Sequence, residues 1–206
     1  MDFRQRSGDG IRAKIRWSWE QFVGPEATKV DTALTVGLAV LGGVLAPIVL
    51  RRQRSPNVTE VVLTSGLALD LWGGAWANNT RACARWYERS GQTNTAHYLF
   101  ALPHVHPFAV AWLDRDLKRQ FPGWAWAGAH YTYLLGATFA ARRFPEQRRV
   151  LGLTLTLGGL LLDHCLGTSR SVPWFAATYY PKLLMGHATA SLWTDRELAL
   201  SLGEST

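Results

Sequence analysis

Asp70, Asp163 and Lys182 lie inside stretches that are otherwise apolar, and five of the six histidines (His104, His106, His130, His164 and His187) lie in or beside the same stretches. Carboxylates, an ammonium and imidazoles are the groups that donate and accept protons or bind metals. A charge at the centre of a membrane helix costs roughly 2.5 to 3.5 kcal/mol on insertion scales, so such residues face protein and mark candidate sites. Asp70, His104, His106 and Lys182 are therefore the candidate acid/base set, with Lys182 as charge partner of Asp70. His104, His106, Asp163 and His164 are the candidate ligands for a divalent metal. Haem held by two histidines is a less favoured alternative, because His104 matches His130 or His187 only approximately in depth.

Spacing sharpens some of these assignments. His97 and His104 stand seven residues apart and nearly align on one helical face, whereas His104 and His106 diverge by about 200° on a regular helix. Pro103 and Pro107 each remove a backbone N–H, and a locally extended His-Val-His would turn both rings to one side. Asp70 shares a face with Leu63, Gly66, Leu67, Gly73, Gly74 and Ala77, and Asp163 shares one with Gly152, Thr156 and Gly159. Small residues admit close helix neighbours, so both acids are expected to point into a bundle. By depth the groups separate into a middle layer of Asp70, His104, His106 and Lys182 and an outer layer of His130, Asp163 and His164. Tyr131, Tyr133, Tyr179 and Tyr180 add hydroxyls that could orient a ligand.

The elements that must position them read as membrane helices. The mean hydropathy of −0.04 conceals a segregation between uncharged runs and short arginine-rich connectors. Residues 32–50 carry no charge and stop at Arg51 and Arg52, and residues 123–141 open with Trp124 and Trp126 and stop at Arg142 and Arg143. Each meets the length of about 20 apolar residues that a bilayer demands. Weaker candidates are 59–78, 96–113, 150–166 and 171–194. The expected fold is all-α, a polytopic integral membrane helix bundle of six transmembrane helices, preceded by an amphipathic N-terminal helix. Ile11, Ile15, Trp19 and Phe22 form the apolar face of that helix, which suits the headgroup layer.

Three regions follow: an N-terminal segment over 1–30, the bundle over 31–194 and a short tail over 195–206. Basic residues assign the orientation. One side collects six, three, four and one from the N-terminus, 79–95, 142–149 and the C-terminus, fourteen in all, against seven on the other. Both termini are thus expected in the cytoplasm. The net charge of +7 is spread over connectors and forms no stripe, which argues against nucleic-acid binding and names the lipid bilayer as partner. Cys83 and Cys165 fall at opposite ends of the bundle and are not expected to pair. No HExxH, Glu-x-x-His pair, Gly-x-Ser-x-Gly or phosphate-binding glycine loop occurs. The mixed ionisable groups favour a membrane-embedded enzyme acting on a lipid-soluble substrate by acid/base or metal-assisted chemistry. An accessory or assembly subunit of a larger membrane complex, paired with partner subunits, and a small proton-coupled carrier are the alternatives.

Overall fold

The structure, a computed structural model, describes residues 3–117 and 121–199, with side chains from residue 10 onward. It is all-helical, and no strand occurs among these residues. Helix α1 (Phe3–Val23) leads into α2 (Lys29–Gln53), α3 (Val58–Ala77), the short α4 (Arg81–Tyr87), α5 (Asn94–Ala101), α6 (His106–Leu113), α7 (Gly123–Arg143) and α8 (Arg148–Leu166). Helix α9 (Phe175–Tyr180) continues as a π-helical stretch over Pro181–Ala188, and α10 (Asp195–Ala199) follows.

Local chemistry sets the helix starts. Thr28 and Asp31 form a capping box before α2, and Asn57 and Glu60 form another before α3, each satisfying two otherwise orphaned N–H groups. The turn between them is four residues long, so α2 and α3 pack as antiparallel neighbours. Their interface is built on glycine. A Cβ on Gly42 would fall 2.7 Å from Trp72 Cγ, one on Gly43 2.9 Å from Leu69 Cγ, and one on Gly73 2.9 Å from Ala39 Cβ.

Two helices are long and apolar enough to cross a membrane by length and composition: Lys29–Gln53, and the continuous helical run Pro145–Leu166. Only 22% of each apolar window is buried. Val36, Val40, Leu41, Val44 and Ile48 of α2 and Val150, Leu157 and Leu161 of α8 stand exposed, a surface suited to hydrocarbon. The other expected spans, over 59–78, 96–113, 123–141 and 171–194, do not meet that test of length and composition among the described residues. Residues 96–113 are not one helix, because Pro103 interrupts hydrogen bonding and the chain turns over 102–105 before α6 starts at His106 with Pro107 in its first turn. Val105 has φ −73° and ψ 17°, so the His-Val-His segment is not extended as expected. The last segment, expected over 171–194, is helical over 175–188 and changes hydrogen-bonding pattern at Pro181.

The helical segments alternate between two polar ends. One end gathers Arg54, Glu60 and Arg115 with Asp114 and Ser171: Glu60 accepts from both arginines at 2.9 Å, and the Ser171 N–H donates to Asp114 Oδ1 at 3.0 Å. The other end gathers Arg142 with Glu88 at 2.7 Å, Arg85 with Glu26 at 2.8 Å, and Arg148 with Asp195 at 2.5 Å. Helices α5 and α6 lie end to end along α7, Tyr98 against Phe139 and Phe108 against Trp124. Helix α1 docks on α4 through its C-terminal end, where Cys83 Sγ meets the Phe22 carbonyl and Tyr87 Oη donates to the Gln21 carbonyl. Ile11, Ile15 and Trp17 remain exposed beside Arg12, Lys14 and Arg16. The main core lies between α3, α6, α7 and α9, around Leu71, Trp126, Leu134, Phe175, Tyr179 and Leu184.

Candidate functional site

Asp70 projects from the middle of α3 toward the π-helical stretch. Its carboxylate lies 2.5 Å from Lys182 Nζ and 3.1 Å from His106 Nε2. A carboxylate only accepts, so His106 bears a proton on Nε2, and its Nδ1 is buried without a protein hydrogen-bond partner. Lys182 is 1% exposed, yet the Asp70 side chain is 41% exposed and that of His106 18%. Asp70 is thus the most exposed of the three side chains and directly follows exposed Leu69 on α3. As a pair Asp70 and Lys182 are neutral, and removing either would strand the other.

Lys182 is positioned from three sides. Gly74 leaves room for its stem, because a Cβ there would fall 2.5 Å from Lys182 Cε and 2.7 Å from Cδ. Pro181 has no N–H and breaks the α-helical ladder, and the π pattern takes over from that residue. Asn79 Nδ2 then donates to the Pro181 carbonyl at 2.9 Å and Asn78 Nδ2 to the Lys182 carbonyl at 3.1 Å. His104 sits beside His106 with ring centroids 5.2 Å apart, its Nδ1 donating to the Phe100 carbonyl at 2.6 Å. Tyr179 Oη donates to the His104 carbonyl at 2.8 Å and so holds the turn at 102–105 against α9.

The four residues of the expected acid/base set are therefore brought together. The expected metal set is not: Asp163 and His164 lie on α8, away from His104 and His106. Asp163 instead faces His130, with Oδ1 3.6 Å from Nε2, and His164 is exposed. Among the described residues no group of three or more His, Cys, Asp or Glu side chains is arranged to hold a metal ion. His130 and Asp163 face each other, and Tyr180 joins them, its hydroxyl 2.7 Å from His130 Nδ1.

Sequence reasoning missed this role of Tyr180, the clamp formed by Asn78 and Asn79, and a third cluster. In the last, His97 Nδ1 donates to the His187 carbonyl at 3.1 Å, and the His187 ring stacks on Phe100 at 3.5 Å and meets Tyr87 edge-on at 4.4 Å. His187 is 3% exposed and neither ring nitrogen meets a protein donor or acceptor. The available signal was the Asn-Asn pair directly after an apolar run, opposite a proline that leaves carbonyls unsatisfied. Comparison of the chain with family models, with curated proteins and with solved structures finds no match.

Proposed function

We propose that this chain is a six-pass integral membrane protein with both termini on the cytoplasmic side, and that it performs acid/base chemistry on a lipid-soluble substrate at the Asp70–His106–Lys182 centre. The passes are α2, α3, the broken pair α5 and α6, α7, α8, and α9 with its π extension. Support comes from the alternation of these segments between two charged ends and from the exposed aliphatic faces of α2 and α8. The observation that carries the chemistry is one carboxylate held between an ammonium and an imidazole while its own side chain stays 41% exposed. In a bilayer that exposure faces hydrocarbon, so a substrate would arrive laterally. His106, oriented by Asp70, would accept a proton at Nδ1, which is buried and without a protein partner in the resting centre, and Lys182 balances the Asp70 charge.

The test is incubation of the protein, in vesicles of its host lipids, with extracted lipid fractions and mass spectrometry of the products. Turnover by the wild-type protein that falls about 10²- to 10⁴-fold in both Asp70→Asn and His106→Gln is the expected result. Undiminished turnover in both variants refutes the assignment. One observation favours the subunit reading instead: an apolar groove of about 270 Å³, lined by Leu38, Trp72, Ala75, Trp76 and Thr178, opens on the outer face between α2, α3 and α9. Absence of turnover together with a fixed set of proteins that copurify in mild detergent would decide for that reading.

A further inference from the structure

The choice of cation at the centre is uneven with the rest of the molecule. The chain has four lysines, Lys14, Lys29, Lys118 and Lys182, against eighteen arginines. Every other ion pair with a lysine or arginine among the described side chains uses arginine: Arg16, Arg54, Arg85, Arg115 and Arg142, with Arg148 against Asp195. Arginine is the better buried charge, since its planar fork binds carboxylates bidentately and it does not lose its proton. Lysine differs in one chemical respect, because its amine can deprotonate and act as a nucleophile toward carbonyl carbon. At the mid-height of the bundle the chain carries a lysine on a glycine cradle, clamped through its own carbonyl, with one carboxylate 2.5 Å away.

We propose that Lys182 Nζ forms an imine with an aldehyde or ketone carried by an apolar, lipid-soluble molecule, with Asp70 as proton relay and counterion. This rests on the reading of the centre given above and names its substrate class. Asp70 first takes a proton from the Lys182 ammonium. The free amine attacks the carbonyl carbon, the C–N bond forms, and the C=O π pair moves to oxygen, which collects a proton from nitrogen to give the carbinolamine. Asp70 returns its proton to that hydroxyl, water leaves, and the nitrogen lone pair closes the C=N bond. The net change is carbonyl plus ammonium to protonated imine plus water, with no oxidant or reductant. The Asp70 carboxylate is restored beside the iminium charge, and His106, donating to the same carboxylate at 3.1 Å, steadies it during imine formation in addition to its acid/base role. The partly exposed Asp70 side chain, next to exposed Leu69, is the side from which such a molecule would approach.

The experiment uses the full chain in vesicles, hexadecanal as probe, sodium cyanoborohydride to reduce any imine to a stable secondary amine, and peptide mass spectrometry to locate it. Lys29, which is exposed at the start of α2, serves as the internal reference amine. Labelling of Lys182 faster than Lys29 by about tenfold is expected, reversing in rank when water-soluble propanal replaces hexadecanal. Lys182 left unlabelled, or labelled no faster than Lys29 by hexadecanal, overturns the proposal. Lys182→Arg separates the two readings, because it keeps the charge and removes the nucleophile. Turnover retained in Lys182→Arg but lost in His106→Gln would refute the imine and leave the acid/base centre standing.

Discussion

Replacing Gly74 by alanine sets two effects of known sign against each other. An alanine inside a helix is more favourable than glycine by up to about 1 kcal/mol, so propensity alone predicts a more stable protein. Geometry opposes it: the new methyl would fall 2.5 Å from Lys182 Cε, 2.7 Å from Cδ and 3.1 Å from Nζ. Carbon contacts rest at about 3.5 to 4.0 Å, so the lysine stem must retreat by roughly an ångström. It has nowhere to go while 1% exposed, and the 2.5 Å contact with Asp70 breaks. Stranding one member of a buried pair costs about 3 to 5 kcal/mol, and the half-exposed Asp70 reduces this to about 2 to 3 kcal/mol. Gly66→Ala on the same helix is the control, because a Cβ there meets nothing within 4 Å and keeps the whole propensity gain. The two variants should therefore separate by about 2 to 3 kcal/mol, with Gly74→Ala below the wild-type protein and Gly66→Ala above it. Unfolding in mixed dodecyl maltoside and dodecyl sulfate micelles, followed by fluorescence of the ten tryptophans, measures the difference. Equal stability of the two variants would refute the cradle and, with it, the enforced position of Lys182.

Arg148 donates to the Thr189 and Ala190 carbonyls at 2.6 and 3.0 Å and to the Trp193 carbonyl at 3.0 Å, so Arg148→Met should cost about 3 kcal/mol in the same unfolding assay. Tyr180→Phe removes one partner of buried His130 and should cost about 1 to 3 kcal/mol, more than Tyr133→Phe, whose hydroxyl donates to the half-exposed Leu155 carbonyl. Burial pushes the Cys83 thiol well above its ordinary range, so iodoacetamide at pH 8 should modify exposed Cys165 and spare Cys83, as intact-mass counting would show. In a protein with both native cysteines replaced, single cysteines at Ser55 and Ser90 should react with an impermeant maleimide from opposite sides of sealed vesicles, since the two turns lie at opposite ends of the bundle.

Much of this arrangement was legible where physics is local. The uncharged runs 32–50 and 123–141 fall within α2 and α7, each closed by the arginines that follow it, and of the two only α2 is long and apolar enough to cross a membrane. The burial of Asp163 agrees with the small residues on its face, whereas Asp70 reaches Lys182 yet keeps 41% of its side chain exposed, and Pro103 and Pro107 announced a break without stating its form. What was hidden depended on remote groups. Pro181 tells that one N–H is missing, but the π pattern after it is held by Asn78 and Asn79 from another turn. That change in winding rotates Lys182 and His187 relative to Tyr180 and the rest of α9, so stripes drawn at 100° per residue misplace them. Depth placed His130 and Asp163 together while Tyr180 went unrecognised between their helices.

Helix α2 contributes no polar side chain to the centre, yet it controls the centre's geometry through α3. Consecutive residues of α3 serve opposite partners: Gly73 lies against Ala39 and the Thr35 carbonyl of α2, while Gly74 lies against Lys182. Trp72 completes the arrangement, its side chain filling the space over Gly42 and its ring meeting Trp174 edge-on at 5.9 Å. The distance between α3 and the π-helical stretch is thus set by contacts that leave no slack on either side. A packed interior transmits such displacements instead of absorbing them. The apolar interface of α2 and α3 and the ionic centre therefore form one mechanical unit, in which the glycines that bring two helices together also decide whether an amine and a carboxylate meet.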